Sequence, residues 1–433
     1  MKIILFFITI LNLNLFAVTN SFDFSFIKKG FQDNNTLLII GGIQGDEPGG
    51  FMSASLITTH YEIKKGSVWV VPNLNFYSII KRNRGSFGDM NRKFANISKD
   101  DADYQSIMKI KNHIVSPEVK LILNLHDGSG YYREKHINNL FSPYRWGQCS
   151  IIDQEILNVD KYGELKEISS KVVNNINKNL LSEEHKYHIK NTNTRMGDKE
   201  MEKSLTFFAI NNGKAAYANE ASKELDLHER IYYHLLAIEE YMKIMGIDFE
   251  RKFDLTPMAI KNIIDNDIYI TFHGNKIKLP LGQIRGMLSY FPMPKDEDIE
   301  FIASNPLMTV IKDDGKFVIH YGNRQLATLK PDYLKFIDND NDINIIVNNT
   351  EHKVAKYGEI VYIKNSFMIK NIEGLRLNII GYVNSDKRNE FDLTVKKNEI
   401  LKRYSVDEDG NLYRAEFYKD DKFVGMILIG FEE

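Results

Sequence analysis

Four residues of this chain have types and positions that could carry out chemistry: Gln44, Glu47, His126 and Glu220. Gln44 and Glu47 stand three apart in "IIGGIQGDEPGGF", where an apolar run breaks into glycines, acids and a proline. His126 stands in "LILNLHDGSG", again where an apolar run meets glycines. Pockets of open α/β sheets lie at the carboxyl ends of strands, so the two stretches can present Gln, Glu and His to one point. Three protein donors with a fourth position open is the arrangement of catalytic zinc. Neither signal is specific alone, since a single strand-end His is commonly structural. Together they make a metal site the favoured reading. Asp46 and Asp127 are candidates to accept the remote imidazole proton of the ligating His and fix its tautomer.

"KRNRGSFGDMNRKF" adds Arg82, Arg84, Asn91, Arg92 and Lys93 in one polar loop. Guanidinium forks grip carboxylates bidentately, so Arg84 with the Asn91–Arg92 pair reads as an anion clamp. Arg82 and Lys93 read as a solvated surface. In "KAAYANEASKE", Glu220 closes a run of small residues and is placed to act as general base and then acid. Glu224 is its competitor, further along in a polar turn. Cys149 is the only cysteine, in a setting without paired or glycine-flanked partners, and reads as an unreactive thiol that forms no internal disulfide.

Positioning these groups requires strands that end at a common edge. Residues 36–42, 67–73 and 119–128 read as buried strands, and Pro48 sits where a first helical turn begins. Helical periodicity runs through residues 49–63, 103–115, 162–181 and 229–245. The alternation predicts an α/β fold, a mostly parallel or mixed sheet flanked by helices. After Asp254 the pattern changes to short alternating segments punctuated by Asp-Gly and Gly-Asn, the texture of hairpins. The polar run 337–344 reads as a joint between two small all-β domains, the last a β-sandwich of immunoglobulin-like type. The expected divisions are 1–17, 18–250, 251–340 and 341–433.

Forty-three per cent hydrophobic residues support real cores, and a net charge of −2 offers no electrostatic case for nucleic acid. "MKIILFFITILNLNLFA" has one lysine, an apolar run and a small residue at Ala17, the layout of a secretory signal cleaved near that residue.

"GGIQGDEPGG", "GDMNRKF", "LNLHDG" and "YANEAS", in that order, resemble the motifs of the zinc carboxypeptidase A superfamily over roughly the first 245 residues. The closest resemblance is to periplasmic peptidoglycan DL-carboxypeptidases that set helical cell shape in curved Gram-negative bacteria. Those proteins carry Gln in place of the first His and add two β domains. The resemblance implies Zn2+ held by Gln44, Glu47 and His126, a terminal carboxylate bound by Arg84, Asn91 and Arg92, and Glu220 as base. It further implies a periplasmic enzyme that trims muropeptide stem peptides, turning a muramyl tripeptide into a dipeptide, with envelope proteins as candidate partners of the β domains. An amide oxygen is a weaker zinc ligand than imidazole nitrogen, so the Gln should lower affinity without abolishing coordination. The "GGIxGDEP" wording is also similar to the succinylglutamate desuccinylase and aspartoacylase branch. A wall-binding protein with decayed chemistry is the non-catalytic alternative.

Overall fold

The computed structural model of the chain describes the backbone of residues 16–17, and residues 22–295, 299–383 and 388–432. The expected export segment, residues 1–17, lies outside the described residues except for the backbone of Phe16–Ala17, which pairs antiparallel with Ile302 and Ala303.

Seven strands form the first sheet: β1 (Ile27–Gly30), β2 (Thr36–Ile40), β3 (Ser67–Val71), β4 (Val119–Gly128), β5 (Cys149–Ile152), β6 (His188–Asn191) and β7 (Ala215–Ser222). Their spatial order is β6-β5-β7-β4-β2-β3-β1. The central strands β7, β4, β2 and β3 run parallel, while β5 and β1 are antiparallel to their central neighbours. The sheet is therefore mixed. Strands β2, β3 and β7 are buried at every residue, as expected where helices cover both faces.

Helices α1 (Pro48–His60), α2 (Leu165–Asn177) and α3 (Leu227–Ile244) pack side by side against the sheet. Helix α1 begins at Pro48, whose missing N–H costs nothing in a first turn, and residues 49–58 are all buried. It lacks a polar face because it is covered from both sides. Gly322 of the following unit lies so close that an added Cβ would meet Phe51 and Met52 at 2.9 and 3.0 Å.

The expectation of an all-β tail from Asp254 onwards is wrong at its start. Pro257–Asn266 forms another helix, α4, with the Thr256 hydroxyl accepting Ala259 N–H at 3.2 Å. It buries Ile260 and Ile264, so the apolar spacing is that of a short amphipathic helix behind a Thr-Pro start signal.

Two β units follow. The middle unit faces a sheet of Tyr269–Phe272, Ile277–Pro280 and Phe301–Ala303 against one of Met287–Pro294, Met308–Asp313, Lys316–Tyr321 and Arg324–Phe336. It is fastened to the first unit by Asn73 Nδ2 donating to Pro306 O at 3.1 Å and by an Arg324–Asp265 ion pair at 2.7 Å. Apolar packing continues between the two without a break. Residues 337–342 then carry no regular element.

The final unit is a two-sheet sandwich around a core of its own. Its hairpin Leu412–Lys419 and Lys422–Phe431 is buried on both faces: Phe417, Ile427 and Ile429 face that core, while Phe423, Met426 and Leu428 join the first. Among the described residues no helix is long and apolar enough to cross a membrane.

His273 sits where these units meet, at φ 52°, its ring edge-on to Phe336 at 4.5 Å. Its Nε2 is buried with no partner among the described residues, and burial, aided by the Lys276 charge, lowers its pKa to about 4. The fold thus prefers the neutral ring. That contribution is present above the ordinary His pKa and is lost as the pH falls towards 4. His273→Asn, which tolerates the positive φ, is expected to lose less melting temperature than wild type on acidification from neutral pH to about pH 4.5. Equal losses by calorimetry would exclude His273 as the acid-sensitive group.

Candidate active site

Three neighbouring strands deliver the chemistry. β2 ends at Ile40 and releases the loop carrying Gln44 and Glu47, and Glu47 is itself the residue from which α1 departs. Gly45 lets that loop lie against the backbone of Ser78, where a Cβ would come within 2.2 Å. His126 is near the end of β4. In the parallel register of β7 on β4, Glu220 is its direct neighbour. Paired residues of adjacent strands point to the same face, so the two side chains stand together.

A cleft of about 240 Å³ receives them. Gln44, Glu47, Arg84, Asn91, Arg92, His126 and Glu220, all the residues singled out from the sequence as ligands, clamp or base, line this one cavity. Glu224 does not; its carboxylate accepts Gly130 N–H at 3.4 Å. Arg82 is exposed and Lys93 is engaged by Asp101 and Asp103, as befits a structural loop. The Cys149 thiol is buried, donates to Trp146 O at 3.0 Å and is pushed by burial well above its ordinary pKa.

At the floor of the cleft, Glu47 Oε2 and Gln44 Oε1 lie 2.8 and 3.1 Å from His126 Nδ1. Burial acts most strongly and lowers the His126 pKa, but the Glu47 carboxylate, joined by Glu220, brings the net shift upward. Burial, with Glu47 and Asp127 adding to it, raises Glu220 to about 8 despite the opposing His126. The Glu47 carboxylate, the Gln44 amide oxygen and the His126 imidazole nitrogen, gathered out of water, form a donor set that suits a divalent cation. Among the described residues no three His, Cys, Asp or Glu side chains form a conventional ligand cluster, because the third donor here is an amide.

Arg84 lies against this floor, with Nε on Asp89 at 3.0 Å and a terminal nitrogen 3.4 Å from Glu47. Among the described residues Arg92 donates to the Asn91 carbonyl oxygen and the Met201 sulfur and pairs with no carboxylate, which leaves its fork open to an anion. Asn91 accepts Leu205 N–H at 3.0 Å through its oxygen, which leaves its NH₂ group for the cleft.

The expected acceptors for His126 are corrected. Asp127 follows His126 on the strand and so points to the opposite face. There it accepts Gly49 N–H at 2.7 Å and pairs with Arg230 at 2.8 Å and His234 at 3.1 Å. Gly49 has no Cβ to block this approach, since one would stand 2.3 Å from Asp127. Asp46 pairs with Lys223 at 2.8 Å. The partner of His126 Nε2 is Asn124, at 2.7 Å. Its place two residues before His126 was the available signal, because period two puts both on one face.

Asp89 was also missed. Its carboxylate accepts the Gln44 NH₂ group at 2.9 and 3.0 Å, which turns the amide oxygen towards His126. A buried glutamine that serves as an oxygen donor needs such an acceptor for its nitrogen.

Three family profiles tile the chain. The catalytic region of a carboxypeptidase controlling helical cell shape matches residues 2–265, the β-barrel domain of carboxypeptidase M99 matches 265–335, and the C-terminal domain of a metallo-carboxypeptidase matches 336–432. Fold and cleft are thus those of a metallopeptidase with appended β units. The chain belongs to the M99 family of carboxypeptidases that control helical cell shape.

The crystal structure of apo Csd4, a cell shape determinant from Helicobacter pylori, is 38% identical with a TM-score of 0.85, over 95% of this chain and 100% of that one. Tripeptide-bound Csd4 matches at 38% and 0.84, over 95% and 100%. Csd4 bound to mDAP, described as a D,L-carboxypeptidase, matches at 39% and 0.85, over 94% and 100%. No curated protein sequence matches the chain.

Asp89→Ala should free the Gln44 amide and weaken divalent-cation binding about 10- to 100-fold with the fold intact. Chelator competition measures this, and unchanged affinity would show that the amide is held by other means.

Proposed function

We propose that this chain is an exported, zinc-dependent D,L-carboxypeptidase that removes the terminal diamino acid from a muramyl tripeptide, leaving the dipeptide, in the periplasm. The observation that carries the reading is the convergence of Gln44 Oε1 and Glu47 Oε2 on His126 Nδ1, with Glu220 and the Arg92 fork in the same cleft. Tripeptide and mDAP are bound by Csd4, and its 38% identity over nearly the whole of both chains supports a shared substrate class.

Gln44, Glu47 and His126 would hold the zinc. When bound, the ion supplies Lewis acidity towards water and the scissile carbonyl. Glu220 accepts the proton of the attacking water and hands it to the departing amine. Its raised pKa keeps the carboxyl close to the balance such an acid–base role needs. Arg92 and Asn91 take the terminal carboxylate, and Arg84 adds its charge from the floor, beside the ligands, where negative charge develops on the scissile oxygen. Trp146, Ile151 and Ala218 give the cleft an apolar wall against the stem of the released residue. The β units offer surface for envelope partners.

Purified protein should contain about one zinc per chain and release diamino acid from a tripeptide with a free carboxyl end. Glu220→Ala should keep fold and zinc while turnover falls at least ~10²-fold. A loss of only a few-fold would remove Glu220 as the base. The same tripeptide amidated at its carboxyl terminus should be a poor substrate. Equal cleavage would sink the exopeptidase reading, and preferential hydrolysis of acylated amino acids would move the chain to the desuccinylase chemistry.

A further inference from the structure

Asn124 is completely buried, lines the catalytic cleft, and contacts the one nitrogen of His126 that faces away from Gln44 and Glu47. Its Nδ2 stands 2.7 Å from His126 Nε2, while its Oδ1 is buried and has no hydrogen-bond partner among the described residues. Both residues lie on β4 two positions apart, so the pleat holds them side by side whatever occupies the cleft.

A neutral imidazole has one nitrogen that donates and one that accepts. In this structure Nδ1 lies 2.8 Å from Glu47 Oε2 and Nε2 2.7 Å from the Asn124 amide nitrogen, contacts that suit the neutral ring with its proton on Nδ1. A cation among Gln44, Glu47 and His126 takes the Nδ1 lone pair, so the ring proton must sit on Nε2. A donor facing Nε2–H is then wrong, and an acceptor is needed. The unpartnered Asn124 oxygen is the acceptor at hand, brought into place by half a turn of the amide. No backbone movement is required.

Resting on the zinc reading above, we propose that Asn124 is a positioning residue that selects the tautomer of His126, presenting its nitrogen to the metal-free ring and its oxygen to the metal-bound ring. Asn124 thereby sets the affinity of the site while touching neither metal nor substrate.

Three proteins are compared: wild type, Asn124→Ala, which has no acceptor, and Asn124→Asp, which has only acceptors. Zinc affinity is read by competition with a chromophoric chelator, and melting temperature reports folding. Asn124→Ala should bind zinc about 10- to 100-fold more weakly, and Asn124→Asp should bind at least as tightly as wild type. Long-range ¹H–¹⁵N spectra of wild type at alkaline pH need no variant. They should place the His126 proton on Nδ1 without zinc and on Nε2 with it. Equal zinc affinity in wild type and Asn124→Ala, equal losses in both variants, or a proton on Nε2 in both states would overturn the inference while leaving the metal site standing. Wild type that takes up no zinc would overturn the zinc reading and this inference with it.

Discussion

The buried carboxylate of Asp127 is the interaction on which the site depends. It is held at once by the N–H of Gly49, the second residue of α1, by Arg230 and by His234, the last two on α3. Burial opposes its charge, yet His234 and Arg230 keep its pKa below the ordinary carboxylate value. One side chain therefore ties the end of β4 to the start of α1. Glu47 is the cap of that helix and His126 is the neighbour of Asp127, so the tie fixes the separation of the two groups that define the cleft floor. Losing one partner of such a buried pair typically costs about 3–5 kcal/mol, and here it would loosen the floor as well as the fold.

Around that tie the polar groups are arranged by what their neighbours need. Gln44 can turn either its oxygen or its nitrogen inward, and only the Asp89 carboxylate makes one choice better. An amide oxygen gives less electron density to a cation than an imidazole would. A metal it helps to hold stays a stronger acid, and the affinity forgone must come from the rigidity of the surrounding hydrogen bonds. Lys223 contributes to this, pairing with Asp46 beside Glu47.

Much of this was legible because strand ends advertise themselves. Apolar runs stopping at Gly41, Gly128 and the small residues before Glu220 mark a common edge, and in a parallel sheet a common edge is a site. Asp127 was misjudged for the opposite reason. Adjacency in sequence next to His126 suggested contact, whereas the pleat sends neighbours to opposite faces. Asp89 was hidden because its partner Gln44 lies across the fold, whereas Asn124 stood on the face of His126 at period two and was passed over. The α4 helix was overlooked because ten residues carry too few turns to show a period against the hairpins that follow. Helix α4 packs back on α3.

The hairpin Leu412–Lys419 and Lys422–Phe431 separates two apolar interiors and is wetted on neither face. Its second strand, KFVGMILIGF, is tolerable only as a shared wall. With either neighbour missing, it would present an apolar, β-prone ribbon to water, the kind of segment that associates with copies of itself. The final unit recognisable by profile therefore relies on its neighbour to cover this strand. Separating the two would convert a structural partition into an adhesive surface.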